Sequence, residues 1–410
     1  MIDGGPGPGA APVGGSVEPA PEPEGPGSPP APNGDLARLL ELARLFLKLG
    51  ATAFGGPAAH IAMMEDEVVR RRAWLSRGEF LDLVGATNLI PGPNSTEMAI
   101  HVGQRRAGGR GLVVAGVSFI LPALAIVWLL AWAYVRYGQL PQAVGLAYGV
   151  KPVIIAVVVQ ALWALGRSAL KTRGLLLVGL VSVALTAAGV NELAVLFGAG
   201  LAVALARAVA RGRALGVTVL PVLPALGVAA VASTQPFQAS TLFLVFLKIG
   251  AVLFGSGYVL LAFLRAEFVV RLGWLSESQL LDAVAVGQVT PGPVFTTATF
   301  VGYLLGGPVG AAAGTAGIFL PAFLFVAVSG PLVPRLRRSV SAGAFLDGVN
   351  VASLALMAVV GWQLGLSAVR DLPAALLAVG SAVLLFRYRV NSSWLVALGG
   401  VYGLLAGRLP

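Results

Sequence analysis

Two Pro-Gly-Pro triplets, Pro91-Gly92-Pro93 and Pro291-Gly292-Pro293, stand at matching places in the two halves of this chain. Proline lacks an amide hydrogen and glycine permits unusual backbone angles, so each triplet forces a break between short helices. A helix that starts after such a break exposes amide donors and a partial positive charge, which suits an anion. The first break is followed by Asn94, Ser95 and Thr96, the second by Val294, Phe295, Thr296 and Thr297. Their hydroxyls and amide supply further hydrogen-bond donors for an oxyanion. Asn88 and Gln288 are the equivalent polar positions just before the breaks and are candidates to line the same pocket. The plainer alternative is a kink between ordinary helices. Recurrence at matching positions favours a broken-helix binding site, the arrangement used at membrane depth where irregular backbone must face protein or a wet cavity.

Charged residues are also twinned. Lys48 and Lys248 each lie inside the first apolar helix of a half. A cation within a membrane is costly and implies function, here neutralisation of a divalent anion; snorkelling to a nearby interface is the alternative. Glu67 pairs with Glu267, Arg71 with Arg271 and Asp82 with Asp282. These read as proton-carrying carboxylates near an entrance or, as the favoured reading, as ion pairs that fix helix packing. Glu97 and His101 have no counterparts and bring asymmetry, of which proton coupling is one form. Lys151 reads as a loop cation rather than an anion ligand.

The elements that carry these residues form an internal repeat about 200 residues apart. Phe46-Leu47-Lys48-Leu49-Gly50-Ala51 returns as Phe246-Leu247-Lys248-Ile249-Gly250-Ala251, and Trp74-Leu75-Ser76 as Trp274-Leu275-Ser276. Leu121-Pro122-Ala123 returns as Leu320-Pro321-Ala322. The 410 residues are 57% hydrophobic and only 11% charged, with mean hydropathy +0.85. That is too little charge for a water-facing surface. The expected fold is an all-α polytopic membrane protein with about 10 transmembrane helices plus two broken or re-entrant helix pairs. Period-two alternation is absent, which argues against a β-barrel. The net charge of +10 sits in short loops, where topology explains it without nucleic acid. With no cysteine, disulfides and thiolate chemistry are excluded. Two histidines do not build a metal centre, and no cofactor is expected.

Residues 1–34 are rich in Gly, Pro, Ala and Glu, lack the regions of a signal peptide and are expected to be a disordered tail. The first repeat spans 35–213, a linker 214–237 and the second repeat 238–410. Each repeat is expected to hold one long first helix, over about 36–61 and 240–264, then the short broken pair, then four longer segments. Five crossings per half and a linker that stays on one side would invert the second half. The Arg and Lys clusters of both halves then fall in the cytoplasm. A linker that crosses would, on that count, make the halves parallel.

At these residues the chain resembles the chromate ion transporter family, in its long, two-domain form. The resemblance rests on Phe-Leu-Lys-Leu-Gly with Phe-Gly-Gly-Pro (46–50, 54–57), Pro-Gly-Pro-Asn-Ser-Thr-Glu (91–97) and Thr-Pro-Gly-Pro-Val-Phe-Thr-Thr (290–297). Phe-Ile-Leu-Pro-Ala (119–123) and Ile-Phe-Leu-Pro-Ala (318–322) extend it. The second half departs from Phe-Gly-Gly-Pro, reading Phe-Gly-Ser-Gly over 254–257. The resemblance implies a multi-pass inner-membrane protein that exports chromate on the proton-motive force, with sulfate as the competing oxyanion. The competing readings are a sulfate or oxyanion importer and a passive anion channel. An intramembrane enzyme lacks any Ser-His arrangement, metal-ligand cluster or HExxH motif. Lipid is the expected surrounding, and a homodimer is compatible with the sequence.

Overall fold

The computed structural model describes residues 34–54, 56–210, 236–254, 257 and 259–406. The tail expected over 1–34, except its last residue, and the linker expected over 214–237, except its last two, lie outside the described residues. The described elements are helices. The first half holds α1 (Asp35–Thr52), α2 (Gly56–Glu65) with a π-helical continuation (Asp66–Arg71), α3 (Arg77–Thr87) and α4 (Asn94–Tyr137). It closes with α5 (Pro141–Ala169), α6 (Arg173–Ala187) and α7 (Glu192–Ala210). The second half repeats the order. It holds α8 (Ala239–Val252), α9 (Leu260–Leu264) with a π-helical continuation (Arg265–Arg271), and α10 (Glu277–Val289). A 3₁₀ turn (Val294–Thr296) then leads into α11 (Thr297–Arg338), followed by α12 (Val340–Ala368), α13 (Leu372–Arg387) and α14 (Ser392–Ala406).

The first helix of each half departs from expectation. Instead of running over 36–61, α1 ends at Thr52, and α8 ends at Val252 rather than near 264. In a straight helix Lys48 and Glu67 would stand about 28 Å apart. They form a 2.8 Å ion pair, so the chain reverses between them. The cause is local: Gly56 takes a φ of +77°, and Pro57 follows at the start of α2, where its missing amide costs nothing. Each half thus opens with two successive helical hairpins, α1 with α2, and α3 with the first part of α4. Ser76 and Ser276 start the second hairpins through capping boxes with Glu79 and Gln279. The long helix α4 is itself folded at Ala107–Gly108, and α11 at Gly306–Gly307, with nearly identical angles.

The halves are inverted. The counterparts α5 and α12 pack side by side, with Gly166 facing Leu354, Gly361 facing Val158, and Gly365 facing Ile155. One number rises as the other falls, so these helices run antiparallel. The same holds for α5 and α14, where Gly145 meets Gly403 and Gly149 meets Gly399. The core between the halves is apolar, built from residues such as Ile154, Val157, Leu356 and Met357. The outer face is apolar too: Trp163, Leu177, Trp362, Leu376 and Trp394 are exposed. Among the described residues five helices are long and apolar enough to cross a membrane, and α6, α13 and α14 are shorter apolar helices. The chain is a multi-pass membrane protein.

Because the first hairpin returns to its starting side, it adds no crossing, which leaves each half its four longer helices in place of the five crossings expected. Inversion therefore requires α7 to end and α8 to begin at opposite faces. Glu192, at the start of α7, lies within electrostatic reach of Lys248, Glu267 and Arg271. Phe237, just before α8, packs on Trp274 at the same end. Arg207, near the far end of α7, instead pairs with Asp347 at 2.8 Å.

Candidate functional site between the two halves

The two Pro-Gly-Pro breaks are tied across the boundary between the halves. The Gly92 amide donates to the Leu253 carbonyl at 2.8 Å, and the Gly292 amide donates to the Ala53 carbonyl at 2.9 Å. Ala53 and Leu253 are the equivalent residues that end α1 and α8. Each break therefore seats on the hairpin tip of the opposite half. A Cβ on Gly292 would stand 2.8 Å from Ala123 Cβ, and one on Gly92 would stand 3.8 Å from Ala322 Cβ. The repeated Leu-Pro-Ala segments are thus the walls behind the breaks. Sequence reasoning missed both roles: a carbonyl acceptor can come from any residue, and the repeated Leu-Pro-Ala gave a position without a partner.

Past the breaks the two halves differ. In the first, Asn94 Nδ2 donates to Asn88 Oδ1 at 3.0 Å. Both asparagines line a cavity of about 420 Å³ with Pro57, Lys171, Asp347 and Asn350. Ser95 and Thr96 are buried, and Thr96 Oγ1 has no partner among the described residues. In the second, the hydroxyls of Thr296 and Thr297 donate to the carbonyls of Pro293 and Val294, each at 2.8 Å. Gln288 and Thr297 line only a narrow void of about 10 Å³. A larger cavity of about 760 Å³ lies at the other end of α5. There Asp282 accepts from Tyr134 at 2.9 Å and pairs with Lys151 at 3.2 Å, while Lys151 donates to Ser278 at 2.6 Å. Lys151, expected in a loop, lies within α5 and lines this cavity. Lys151 and Asn350 are repeat equivalents, so the two cavities are counterparts at opposite ends of the inverted structure. Asp82, the twin of buried Asp282, is exposed.

The twinned lysines sit in the hairpins and line neither cavity. Lys48 holds Glu67, which also receives Arg71 at 3.7 Å and Arg72 at 3.3 Å. Arg72 and Arg106 both pair with Glu41, and both guanidinium groups stand over the Trp74 ring. This network clips α1 to the return strand of its hairpin and to α4. The Lys48 hydrogen bond, with the Arg72 charge, holds the Glu67 carboxyl below the usual carboxylate range. In the second half Glu267 is bonded by Lys248 and Arg271 in the same way. No group of three His, Asp or Glu side chains among the described residues is placed to hold a metal ion.

A family model described as Chromate transporter matches residues 40–204 and again 240–404. A protein named Chromate transport protein from Cupriavidus metallidurans is 32% identical over 375 residues, covering 90% of this chain and 93% of its own length. The protein of the same name from Pseudomonas aeruginosa is 34% identical over 381 residues, covering 90% and 91%. A Probable chromate transport protein from Synechococcus elongatus is 32% identical over 346 residues, covering 83% and 88%. No solved structure matches the chain.

Proposed function

The chain belongs to the chromate transporter family, and from that premise we propose that it exports chromate across the inner membrane by alternating access. The observation that carries the mechanism is the reciprocal seating of each Pro-Gly-Pro break on the other half's hairpin tip. A site built from both halves changes its access when one half rocks against the other. The counterpart cavities at opposite ends supply the two wet approaches.

In this reading the dianion lies at the breaks. The half-helix N-terminus at Pro91, Gly92 and Pro93, with Asn88, Asn94, Ser95 and Thr96, forms one side. Pro291, Gly292 and Pro293, with Gln288, Thr296 and Thr297, form the other. Lys48 and Lys248 contribute positive field from the hairpins, shared with Glu67 and Glu267. The same pairs, with Arg71 and Arg271, keep the tips in register, and Asp82 and Asp282 anchor the second hairpins. The proton-motive force supplies the drive through its electrical part: two negative charges moved outward across 100 mV release about 4.6 kcal/mol. Sulfate, of the same charge and shape, competes for the site.

Everted membrane vesicles containing the protein test this. Uptake of labelled chromate should be abolished by an uncoupler and reduced by excess sulfate. Inserted protein that accumulates nothing would replace export with sulfate import.

A further inference from the structure

The first two turns of α4 carry polar atoms with nothing to bond among the described residues: Thr96 Oγ1, both carboxyl oxygens of Glu97, and His101 Nε2. Glu97 is 0% exposed and His101 5%. The Glu97 carboxyl folds back over the break, where a Cβ on Gly92 would overlap its Oε1. It therefore stands at the N-terminus of α4, at the place the proposed function gives to the anion. A buried polar group without a partner is costly, so its retention here calls for a ligand. The second half has spent this capacity: Thr297 replaces Glu97 and bonds the Val294 carbonyl, and Val301 replaces His101.

Glu97, His101 and Arg105 recur at four-residue spacing, which places them on one face of the helix, about 6 Å apart along its axis. The row runs from the buried break to Arg105, which is exposed. The neighbouring elements supply no counter-charge. On α1, Lys48 is paired with Glu67, and Glu41 with Arg72 and Arg106. On α2, His60 bonds the Ala53 carbonyl at 3.0 Å, and Glu65 pairs with Arg77. On α3, Glu79 caps its own helix and Asp82 is exposed. On α10, Glu277 pairs with Arg265 and Asp282 with Lys151. On α11, Tyr303 stacks edge-on with Trp128.

We propose that Glu97 is a proton-binding group at the first-half break, loaded along His101, and that one proton is taken up with each oxyanion bound. The inference rests on the reading that the anion sits at this break. A carboxylate and a dianion in one buried place repel each other. Protonation removes the repulsion and turns the carboxyl into a donor for an anion oxygen. The proton comes from water at the Arg105 end. His101 accepts it on one ring nitrogen, releases one from the other, and the Glu97 carboxylate receives it. One net negative charge then leaves per cycle, and the membrane potential still drives export.

The test is isothermal titration calorimetry of chromate, and separately of sulfate, into the purified full chain. It is run from acid to alkaline pH in buffers of different ionisation enthalpy, which counts protons. The wild type should take up one proton per anion in the alkaline range, with Kd rising up to about tenfold per pH unit. Glu97→Gln keeps the shape and the donor, and should bind both anions with no proton uptake and no pH slope. Glu97→Asp keeps the acid and should keep the uptake. Wild-type binding without proton uptake at any pH, or Glu97→Gln with undiminished uptake, would overturn the proposal. Absence of binding by all three proteins would overturn the functional reading itself, and this inference with it.

Discussion

At Gly92 and Gly292 the backbone takes φ values of +135° and +88°, where a side chain brings strain of about 1–3 kcal/mol. Gly292 has a second constraint, because a Cβ there would meet Gly50 O at 2.9 Å as well as Ala123 Cβ at 2.8 Å. Gly292→Ala should therefore unseat the second break from the tip of α1. We expect its melting temperature in detergent to fall by several degrees and vesicle uptake to fall at least tenfold. An unchanged melting temperature would show that the break is not seated as described. The triplets were legible in the sequence because proline and glycine carry their conformational meaning in the residue type. The acceptors at Ala53 and Leu253 were not, since a backbone carbonyl leaves no trace in the sequence. Lys48 and Glu67 were each legible as one of a twinned pair, but their bond to each other was not. At nineteen positions apart they meet only if the chain reverses, and that reversal is made at Gly56-Pro57, a pair of residue types equally at home in a mere bend.

At the scale of the elements, the contact between α5 and α14 decides whether the halves interlock. Gly145 and Gly149 on α5 face Gly403 and Gly399 on α14, each pair of glycines spaced by four residues on one helix. Backbones this close exclude any side chain, the small-xxx-small solution for helices in lipid. Gly149→Leu should push the helices apart, at a cost of about 1–3 kcal/mol or more from overpacking. The expected result is earlier thermal unfolding and loss of transport. A leucine in place of exposed Val159, on the lipid side of α5, should change neither. Equal tolerance of both substitutions would remove α14 from the interface. The helices of each half were legible because membrane spans must be long and apolar. Their partners were not, because α5 takes its closest contacts from α12, α13 and α14 of the other half. A repeat in the sequence gives equivalence between elements, and says nothing about which of them touch.

For the whole molecule, inversion places turns from different halves at a shared face. Tyr148 donates to Asp371 at 2.8 Å, so the turn before α5 and the turn before α13 lie together. Gln160 donates to the Leu385 carbonyl at 3.4 Å, and Trp163 stacks edge-on with Phe386, so the far ends of α5 and α13 lie together as well. The second of these ends carries Arg167, Lys171, Arg173, Arg387 and Arg389, and the first carries Arg136 and Arg370. The positive-inside rule puts the richer end in the cytoplasm. The chain contains no cysteine, so one introduced thiol is the only target for a maleimide. A membrane-impermeant maleimide applied to intact cells should label Gln139→Cys and Arg370→Cys. It should label Arg167→Cys and Tyr388→Cys only after the membrane is opened. Parallel halves would instead place Arg370 with the α5–α6 turn, and Arg370→Cys would then behave like Arg167→Cys. That comparison separates the two arrangements without any transport measurement. It also bears on mechanism, because only an inverted pair gives the site two equivalent approaches from opposite sides of the membrane.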